Sequence, residues 1–314
     1  MIDELLRDLH AKYLPCEDGE VRDLGRGRAS DFGLAATSVD GTQWATGDCD
    51  KEFTLQSITK PLVYAAVLGL LGEEKVSERV DVEPIREPYN AIELEEGSGR
   101  PANAMLNSGG ITTAGLMREA FGEGAWERIH GAISAAAGRP LAVDEEVYRS
   151  HLRTAHRNRA IAYLLRSQGV LKDDPDAAVD LFDRQCSILL TCRDLSAIGA
   201  TLANVGTNPL TGEKVFEPQA VQDTLSVMLT CGMYNSSGDW VFRVGIPAKS
   251  GVGGGLLGIV NRQVGIATYS PPLDPEGHSV RGMTAFADLS ARCSLHAFHQ
   301  RNHGSNFLHD EFGD

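Results

Sequence analysis

The chain has 314 residues, of which 42% are hydrophobic, and a formal net charge of −14 at neutral pH. At about 100–200 residues per domain, this length predicts one large unit or two interleaved units with a sizeable buried core. The negative charge repels nucleic-acid phosphates and anionic lipid. We therefore expect neither nucleic acid nor a membrane surface as a partner.

The first predicted element is an acidic amphipathic helix in MIDELLRDLHAKYL, residues 1–14. This segment lacks the basic start and long apolar run of a signal peptide, and no apolar run in the chain approaches the roughly 20 residues of a membrane span. The expected location is therefore the cytoplasm. Residues 32–41 and the following TQWATGD predict a hairpin of two strands that turns at an Asp-Gly pair.

A long apolar helix is predicted to begin at Ser57, and the pattern from residue 109 to about residue 233 is helical. The segments with helical spacing and glycine stops are residues 111–122, 125–138, 157–169 and 176–206. Short β-rich runs follow in DWVFRVGIP, GGLLGIVN and QVGIATYSPP, and a final helix is predicted over residues 279–299.

This order of elements predicts an α+β fold in which an antiparallel sheet is flanked by terminal helices and a helical subdomain is inserted. We expect a single unit over residues 1–314. Its parts are a sheet portion at 25–60 and 235–300, a mostly helical portion at 61–234 and a mobile tail at 301–314.

The six cysteines are scattered, without the close Cys-x-x-Cys pairs of zinc or redox sites. We expect reduced, mostly buried thiols. His296, His299 and His303 have i, i+3, i+7 spacing on the last predicted helix, but no Cys or Asp lies beside them. The sequence therefore predicts no metal and no cofactor.

Ser57 and Lys60 form a Ser-x-x-Lys pair at the start of the apolar helix. A serine hydroxyl needs a base to become a nucleophile, and residues i and i+3 share one helix face. A helix N-terminus and a second cation would disfavour the charged form of Lys60 and make it such a base. Because this spacing arises by chance about once in a chain of this length, the pair alone is weak evidence.

Lys249-Ser250-Gly251 on a late strand resembles the Lys-Thr-Gly element that accompanies Ser-x-x-Lys in β-lactamases. Lys249 would supply the second cation. The following glycine-rich run allows close backbone approach, so the main-chain N–H groups of Ser57 and Val252 are candidates for an oxyanion hole. The alternative is a plain glycine-rich turn between strands.

A more specific resemblance rests on eight segments that occur in family order over roughly residues 33–298. They are GD at 47–48, LQSITKPLVY at 55–64, NAMLNSGGI at 103–111, RNRAIAYLL at 157–165, QCSILLT at 185–191, LTGEKVF at 210–216, CGMY at 231–234 and GIPAKSGVGGG at 245–255. In these segments the chain resembles the serine-dependent glutaminases. That family has a β-lactamase/penicillin-binding-protein-like fold and hydrolyses the side-chain amide of glutamine to glutamate and ammonia.

The resemblance implies roles for individual residues. Ser57 would be the acylated nucleophile, Lys60 its base, and Tyr234 would carry a proton to the leaving ammonia. The main-chain amides of Ser57 and Val252 would bind the oxyanion. The implied substrate-binding residues are Gln56, Asn107, His151, Asn158, Phe182, Lys249, Ser250, Gly251 and Val252. Glutaminases of this kind commonly form dimers or tetramers, so we expect a homodimer or homotetramer.

Three positions depart from the family pattern. His151 stands where the family has the glutamate that pairs with the substrate's α-ammonium, and Phe182 and Leu24 stand where it has tyrosines. The loss of a counter-ion and of two phenol hydroxyls would leave polar groups of glutamine unpaired, at about 1–3 kcal/mol each. A protonated His151 could instead favour a carboxylate or a neutral acceptor.

Several functions remain open on the sequence alone. The first is a glutaminase-type amidohydrolase acting on L-glutamine, with the same chemistry on an amide lacking the α-ammonium as a close variant. The second is a catalytically silent protein that binds a small carboxylate. A penicillin-interacting enzyme is disfavoured by CGMY and RNRAIAYLL, which are specific to glutaminases.

Overall fold

The structure is a computed structural model that describes residues 2–16, 18–22, 27–85 and 94–299. Leu24, the first two residues of the predicted sheet portion and the tail predicted at 301–314 lie outside the described residues.

The described residues include twelve α-helices, ten β-strands and three short 3-10 turns. The helices are α1 (Ile2–Tyr13), α2 (Thr59–Leu71), α3 (Glu73–Ser77), α4 (Asn107–Phe121), α5 (Ala125–Ala137), α6 (Glu145–Thr154), α7 (His156–Ser167), α8 (Pro175–Cys186), α9 (Cys192–Ala203), α10 (Pro218–Cys231), α11 (Ser237–Arg243) and α12 (Val280–Cys293). The strands are β1 (Glu20–Val21), β2 (Gly33–Ser38), β3 (Gln43–Gly47), β4 (Phe53–Thr54), β5 (Ala142–Val143), β6 (Ile188–Leu190), β7 (Ala248–Ser250), β8 (Gly255–Val260), β9 (Val264–Tyr269) and β10 (Pro272–Leu273). Short 3-10 turns occupy Gln56–Ile58, Gly122–Gly124 and Tyr234–Ser236.

The main sheet has five antiparallel strands in the order β3-β2-β9-β8-β7. Strands from both ends of the chain meet where β2 pairs with β9, in a register that places Gly33 opposite Tyr269. This arrangement confirms the predicted antiparallel sheet and the predicted hairpin of β2 and β3.

The two faces of the sheet bury different cores. Leu256 packs in the core shared with α1 and α12, whereas its neighbour Leu257 packs in the larger core shared with α9 and the other helices. This alternation follows from the two-residue period of a strand. Gly265 allows the close approach of α9, because a Cβ there would lie 2.1 Å from the backbone nitrogen of Ala200.

Several sequence predictions of local structure are wrong. The run DWVFRVGIP, predicted to be β-rich, begins within helix α11, because Trp240 and Val244 lie four residues apart and bury the same helix face. The helical run 176–206 is interrupted by β6, which pairs with β4 and β5. The last helix ends at Cys293 instead of residue 299, because Ser294 has a left-handed φ of 58°.

A small sheet in the order β4-β6-β5 lies directly before the segment that contains Ser57. Strand β4 is followed directly by the 3-10 turn Gln56–Ile58, so the α-helix begins at Thr59 and not at Ser57 as predicted. The backbone N–H of Leu55 continues the pairing by donating to the carbonyl of Ile188 over 2.8 Å. Across the described ranges, no helix has the length and apolar character needed to cross a membrane.

Candidate active site

Ser57 lies in the 3-10 turn that joins β4 to α2. The preceding residue, Gln56, has a φ of 50°, a left-handed value that is uncommon for residues other than glycine. Gln56 Nε2 donates a 2.9 Å hydrogen bond to Thr54 Oγ1, which fixes the turn. Gln56 and Ile58 are buried and Ser57 is partly exposed, so the turn presents the serine to the surface.

Lys60 is the second residue of α2 and is fully buried. Its Nζ donates hydrogen bonds to the carbonyl of Met105 over 3.0 Å and to Asn107 Oδ1 over 2.7 Å. Burial lowers the pKa of Lys60 to about 7, because desolvation disfavours the charged form. A large fraction of Lys60 is therefore neutral near pH 7, as a general base requires.

Tyr234 lies between two lysines. Its ring centroid is 3.9 Å from Lys249 Nζ and 5.5 Å from Lys60 Nζ. Tyr234 begins a 3-10 turn just after α10 and has a left-handed φ of 52°. Lys60, the predicted base, and Tyr234, the predicted proton carrier, are thus neighbours.

Lys249 is fully buried on β7, where its Nζ donates a 2.7 Å hydrogen bond to the carbonyl of Ser250. Burial, together with repulsion from Lys60, lowers the pKa of Lys249 well below its usual range. His278 Nδ1 lies 2.8 Å from Ser250 Oγ. The pKa of His278 is lowered to about 4, mainly by burial and to a lesser extent by the charge of Lys249, so this imidazole is neutral at pH 7.

A cavity of about 180 Å³ opens beside Ser57. Its walls are formed by Gln56, Ser57, Asn107, His151, Thr154, Ala155, Asn158, Phe182, Asp183, Cys186 and Val252. Most of the sequence-predicted substrate-binding residues therefore meet in one cavity. The predicted residues Lys60, Tyr234, Lys249, Ser250 and Gly251 are buried and are not part of this lining.

His151 and Asn158 reach the cavity from different helices. Helix α6 ends at Thr154 and α7 begins at His156, so Ala155 separates the two helices. His151 Nδ1 lies 3.4 Å from Ser187 Oγ. Burial lowers the pKa of His151, so the neutral imidazole predominates at pH 7.

A chain of hydrogen bonds runs from Lys60 along the cavity wall. Lys60 Nζ donates to Asn107 Oδ1, Asn107 Nδ2 donates to Asn158 Oδ1 over 3.2 Å, and Asn158 Nδ2 donates to Asp183 Oδ1 over 3.2 Å. Every donor points away from Lys60 and towards the carboxylate. This chain fixes the orientation of both asparagine side chains.

The glycine-rich run packs against the strand that leads to Ser57. A Cβ at Gly253 would lie 2.7 Å from the carbonyl oxygen of Thr54, and a Cβ at Gly251 would lie 3.0 Å from that of Leu55. This close approach brings Val252 to the cavity beside Ser57. The oxyanion role of the Ser57 and Val252 amides stays a prediction.

Comparison with known proteins identifies the family. Residues 19–298 match the sequence profile of the family described as Glutaminase. The chain belongs to the glutaminase family. Glutaminase 2 of Bradyrhizobium diazoefficiens is 47% identical over 295 residues, which are 93% of this chain and 47% of that protein. The glutaminase of Trichormus variabilis is 42% identical over 301 residues, which are 94% of this chain and 89% of that protein. The chain spans about half the length of the two Bradyrhizobium glutaminases that it matches.

Solved glutaminase structures share the fold. The probable glutaminase YbaS superposes with a TM-score of 0.91 at 36% identity, covering 95% of this chain and 98% of that one. Mglu in its glutamate form superposes with a TM-score of 0.88 at 37% identity, covering 94% of this chain and 69% of that one. The β-lactamase-like fold predicted for this glutaminase family member is therefore confirmed.

Two residues of the site were missed by the sequence analysis. His278 is a lone histidine before a helix N-cap, and no spacing marks it in the sequence. Asp183 did carry a signal, because it shares the buried face of α8 with Val179, Phe182 and Cys186. A charged residue on an otherwise apolar helix face is rarely buried without a partner or a ligand.

The described parts of this family member contain no group of three His, Cys, Asp or Glu residues that could hold a metal ion. His296 and His299 follow α12 instead of lying on it, and His303 is outside the described residues.

Proposed function

We propose that the chain is a glutaminase that hydrolyses the side-chain carboxamide of L-glutamine to glutamate and ammonia through an acyl-enzyme at Ser57. The observation that carries the proposal is the fully buried Lys60, three residues after Ser57, with a pKa of about 7. Membership in the glutaminase family and the names of its relatives support glutamine as the substrate.

The first half of the reaction forms the ester. Neutral Lys60 accepts the proton of the Ser57 hydroxyl, and Ser57 Oγ attacks the carboxamide carbon. The main-chain N–H groups of Ser57 and Val252 stabilise the oxyanion that develops. Tyr234, whose ring adjoins both lysines, delivers a proton to the departing ammonia and takes up the proton that Lys60 accepted from Ser57, so that Lys60 is neutral again.

The second half of the reaction releases the product. Water gives a proton to neutral Lys60 and attacks the ester carbon. As the ester bond breaks, Lys60 returns that proton to Ser57 Oγ, which frees the carboxylate product and restores the Ser57 hydroxyl. Burial and the charge of Lys60 lower the pKa of Lys249, which disfavours a state in which both lysines are protonated.

The proposal is tested by ammonia release from L-glutamine and by covalent labelling. We expect saturable turnover, loss of activity in Ser57→Ala and labelling of Ser57 by a diazo-ketone glutamine analogue, detected by mass spectrometry. Absence of both turnover and labelling would favour a catalytically silent binding protein.

A second substrate is favoured by a specific observation. His151 lines the cavity at the position where the family resemblance predicts a glutamate that pairs with the α-ammonium. A neutral imidazole cannot serve as that counter-ion, so an amide without the α-ammonium, such as glutaric acid monoamide, is the alternative. The ratio of kcat/KM values for L-glutamine and the monoamide decides between the two.

We further propose that the protein forms a homodimer or homotetramer and acts in the cytoplasm. Light scattering coupled to size-exclusion chromatography measures the assembly. Fractionation of the native cells measures the location.

A further inference from the structure

Asp183 differs from every other residue of the cavity wall because it carries the one carboxylate in that lining. It lies on α8 with 3% of its surface exposed. Burial of a carboxylate is unfavourable unless hydrogen bonds or a positive charge compensate for the loss of water.

The hydrogen bonds of Asp183 are incomplete. Oδ1 accepts from Asn158 Nδ2, whereas Oδ2 is buried and accepts no hydrogen bond from the described residues. Among the buried side-chain atoms of the described residues that lack a partner, Asp183 Oδ2 is the one carboxylate oxygen. An ionised carboxylate can accept about four hydrogen bonds, so capacity remains for a cationic donor.

We propose that Asp183 is the residue that binds the α-ammonium group of the substrate, in place of the carboxylate that is absent at position 151. This inference rests on the proposed function and names the specificity-determining residue of that site. The ammonium would donate to Asp183 Oδ2, while Asn158 holds Oδ1 and, through Asn107, links the ammonium subsite to Lys60.

The charges around Asp183 suit this role. Burial raises the pKa of Asp183 to about 7, the Asn158 hydrogen bond and the charge of Arg159 lower it, and the charge of Asp180 raises it. His151, near the Asp183 backbone carbonyl, and Cys186 are both neutral at pH 7, because burial lowers the pKa of His151 and raises that of Cys186. The ammonium of glutamine would therefore be the cation that completes the site and ionises Asp183.

The test compares substrates that differ by the α-amino group alone. In Asp183→Asn, which keeps the volume and an acceptor for Asn158, KM for L-glutamine should rise at least tenfold while kcat changes less than threefold. The kcat/KM for glutaric acid monoamide should stay the same or rise. The matched control is Asp180→Asn, one turn earlier on α8, where the carboxylate accepts from the Tyr148 hydroxyl. At pH 8 and above, where Asp183 is ionised with or without the Asp180 charge, it should leave the ratio of the two substrates unchanged.

The pH dependence gives an independent readout. The ratio of kcat/KM for L-glutamine to that for the monoamide should fall below about pH 7 as Asp183 becomes protonated, and it should be flat in Asp183→Asn. The ratio cancels the titration of Lys60, which acts on both substrates. An equal loss of activity on both substrates in Asp183→Asn would overturn the proposal and leave Asp183 a structural acceptor for Asn158.

A binding measurement separates this inference from the proposed function. Calorimetry on the Ser57→Ala protein should show L-glutamate binding at least tenfold more tightly than glutarate, and this preference should vanish when Asp183→Asn is added. If the wild-type protein hydrolyses neither amide but keeps the preference, the proposed function fails and the assignment of Asp183 stands. If L-glutamate and glutarate bind equally to Ser57→Ala, the assignment is overturned whatever the turnover.

Discussion

Lys60 determines the pH dependence that we expect of the reaction. In the proposed mechanism it must be neutral to accept the Ser57 proton, and its pKa of about 7 lies far below that of an exposed lysine. Protonation below pH 7 removes the base, so kcat/KM for the monoamide should fall about tenfold per pH unit on the acid side, and kcat/KM for L-glutamine should fall more steeply because Asp183 is protonated as well. A profile that is flat between pH 5 and pH 8 would contradict this role for Lys60.

Replacement of Lys60 by arginine isolates the need for a neutral form. A guanidinium stays charged at every accessible pH, so Lys60→Arg should lower kcat by about 10²–10⁴-fold without recovery at high pH. The control is Lys12→Arg, a half-exposed lysine paired with Asp288, which should leave kcat unchanged. Ammonia release measures both variants.

Among individual residues, the sequence predicted those that a characteristic spacing marks and missed those that tertiary packing brings to the site. Ser57 and Lys60 can be recognised in the sequence because two residues that are three positions apart at the start of a helix lie at a fixed distance from each other. Asp183 and His278 reach the site by packing of α8 and of the segment before α12 against distant elements. No short-range pattern encodes such contacts. The charge of Asp183 on a buried face was the one available signal.

Helix α4 depends on a glycine for its packing against α2 and α8. A Cβ at Gly110 would lie 2.6 Å from Phe182 Cε2 and 3.3 Å from Lys60 Cε. Gly110→Ala should therefore lower the free energy of unfolding by about 1–3 kcal/mol and displace Lys60, the proposed base, and Phe182 in the cavity wall, with reduced kcat. Urea denaturation and ammonia release measure the two effects.

The matched control is Gly131→Ala in the interior of α5. This glycine is exposed, and a Cβ there would meet no heavy atom within 4 Å. The substitution should stabilise the protein by about 0.5–1 kcal/mol, because alanine loses less backbone entropy in a helix. Equal free energies of unfolding for Gly110→Ala and Gly131→Ala would contradict the prediction that a Cβ at position 110 destabilises the packing.

Elements were predicted well where their periodicity extends over many residues and poorly where they are short. Helices α4, α5 and α7 and strands β8 and β9 follow their sequence patterns closely. Helix α11 has seven residues, too few for its period to be distinguished from that of a strand, and its register is set by Trp240, which donates to the carbonyl of Ile246. The three-residue strand β6 is stabilised by pairing with two distant strands, which no local window contains.

Arg281 connects the N-terminal segment to the rest of the molecule. This fully buried side chain on α12 donates to the carbonyls of Tyr13, Leu14 and Ala29, which lie more than 250 residues earlier in the chain. Arg281→Met should lower the free energy of unfolding by about 3–5 kcal/mol, because several buried carbonyls lose their donor. The free energy of unfolding is measured by chemical denaturation monitored by circular dichroism.

The control for Arg281 is an arginine whose ion pair is exposed. Arg243 pairs with Asp239 at 2.8 Å, with 65% and 59% of the two side chains exposed. Arg243→Met should change stability by no more than about 0.5 kcal/mol. A loss below about 1 kcal/mol in Arg281→Met would mean that the N-terminal segment is held by its apolar contacts instead.

Stability of the unliganded molecule should also depend on pH through Asp183. Its pKa is about 7 in the folded state against a usual value of 3.8, so the folded state holds the proton more tightly. The contribution of Asp183 to stability is therefore present at low pH and is lost as pH rises from about 4 to about 7, by at most about 4 kcal/mol.

Comparison of the wild type with Asp183→Asn isolates this contribution. Lys60 and Lys249 change stability in the opposite direction at higher pH, but both lysines are present in the two proteins. The difference in free energy of unfolding between these two proteins should therefore favour the variant increasingly up to about pH 7 and stay constant above it. Saturating L-glutamate should reduce that difference at pH 8, because its ammonium compensates the Asp183 charge. A difference that is independent of both pH and ligand would mean that the carboxylate is already compensated within the protein.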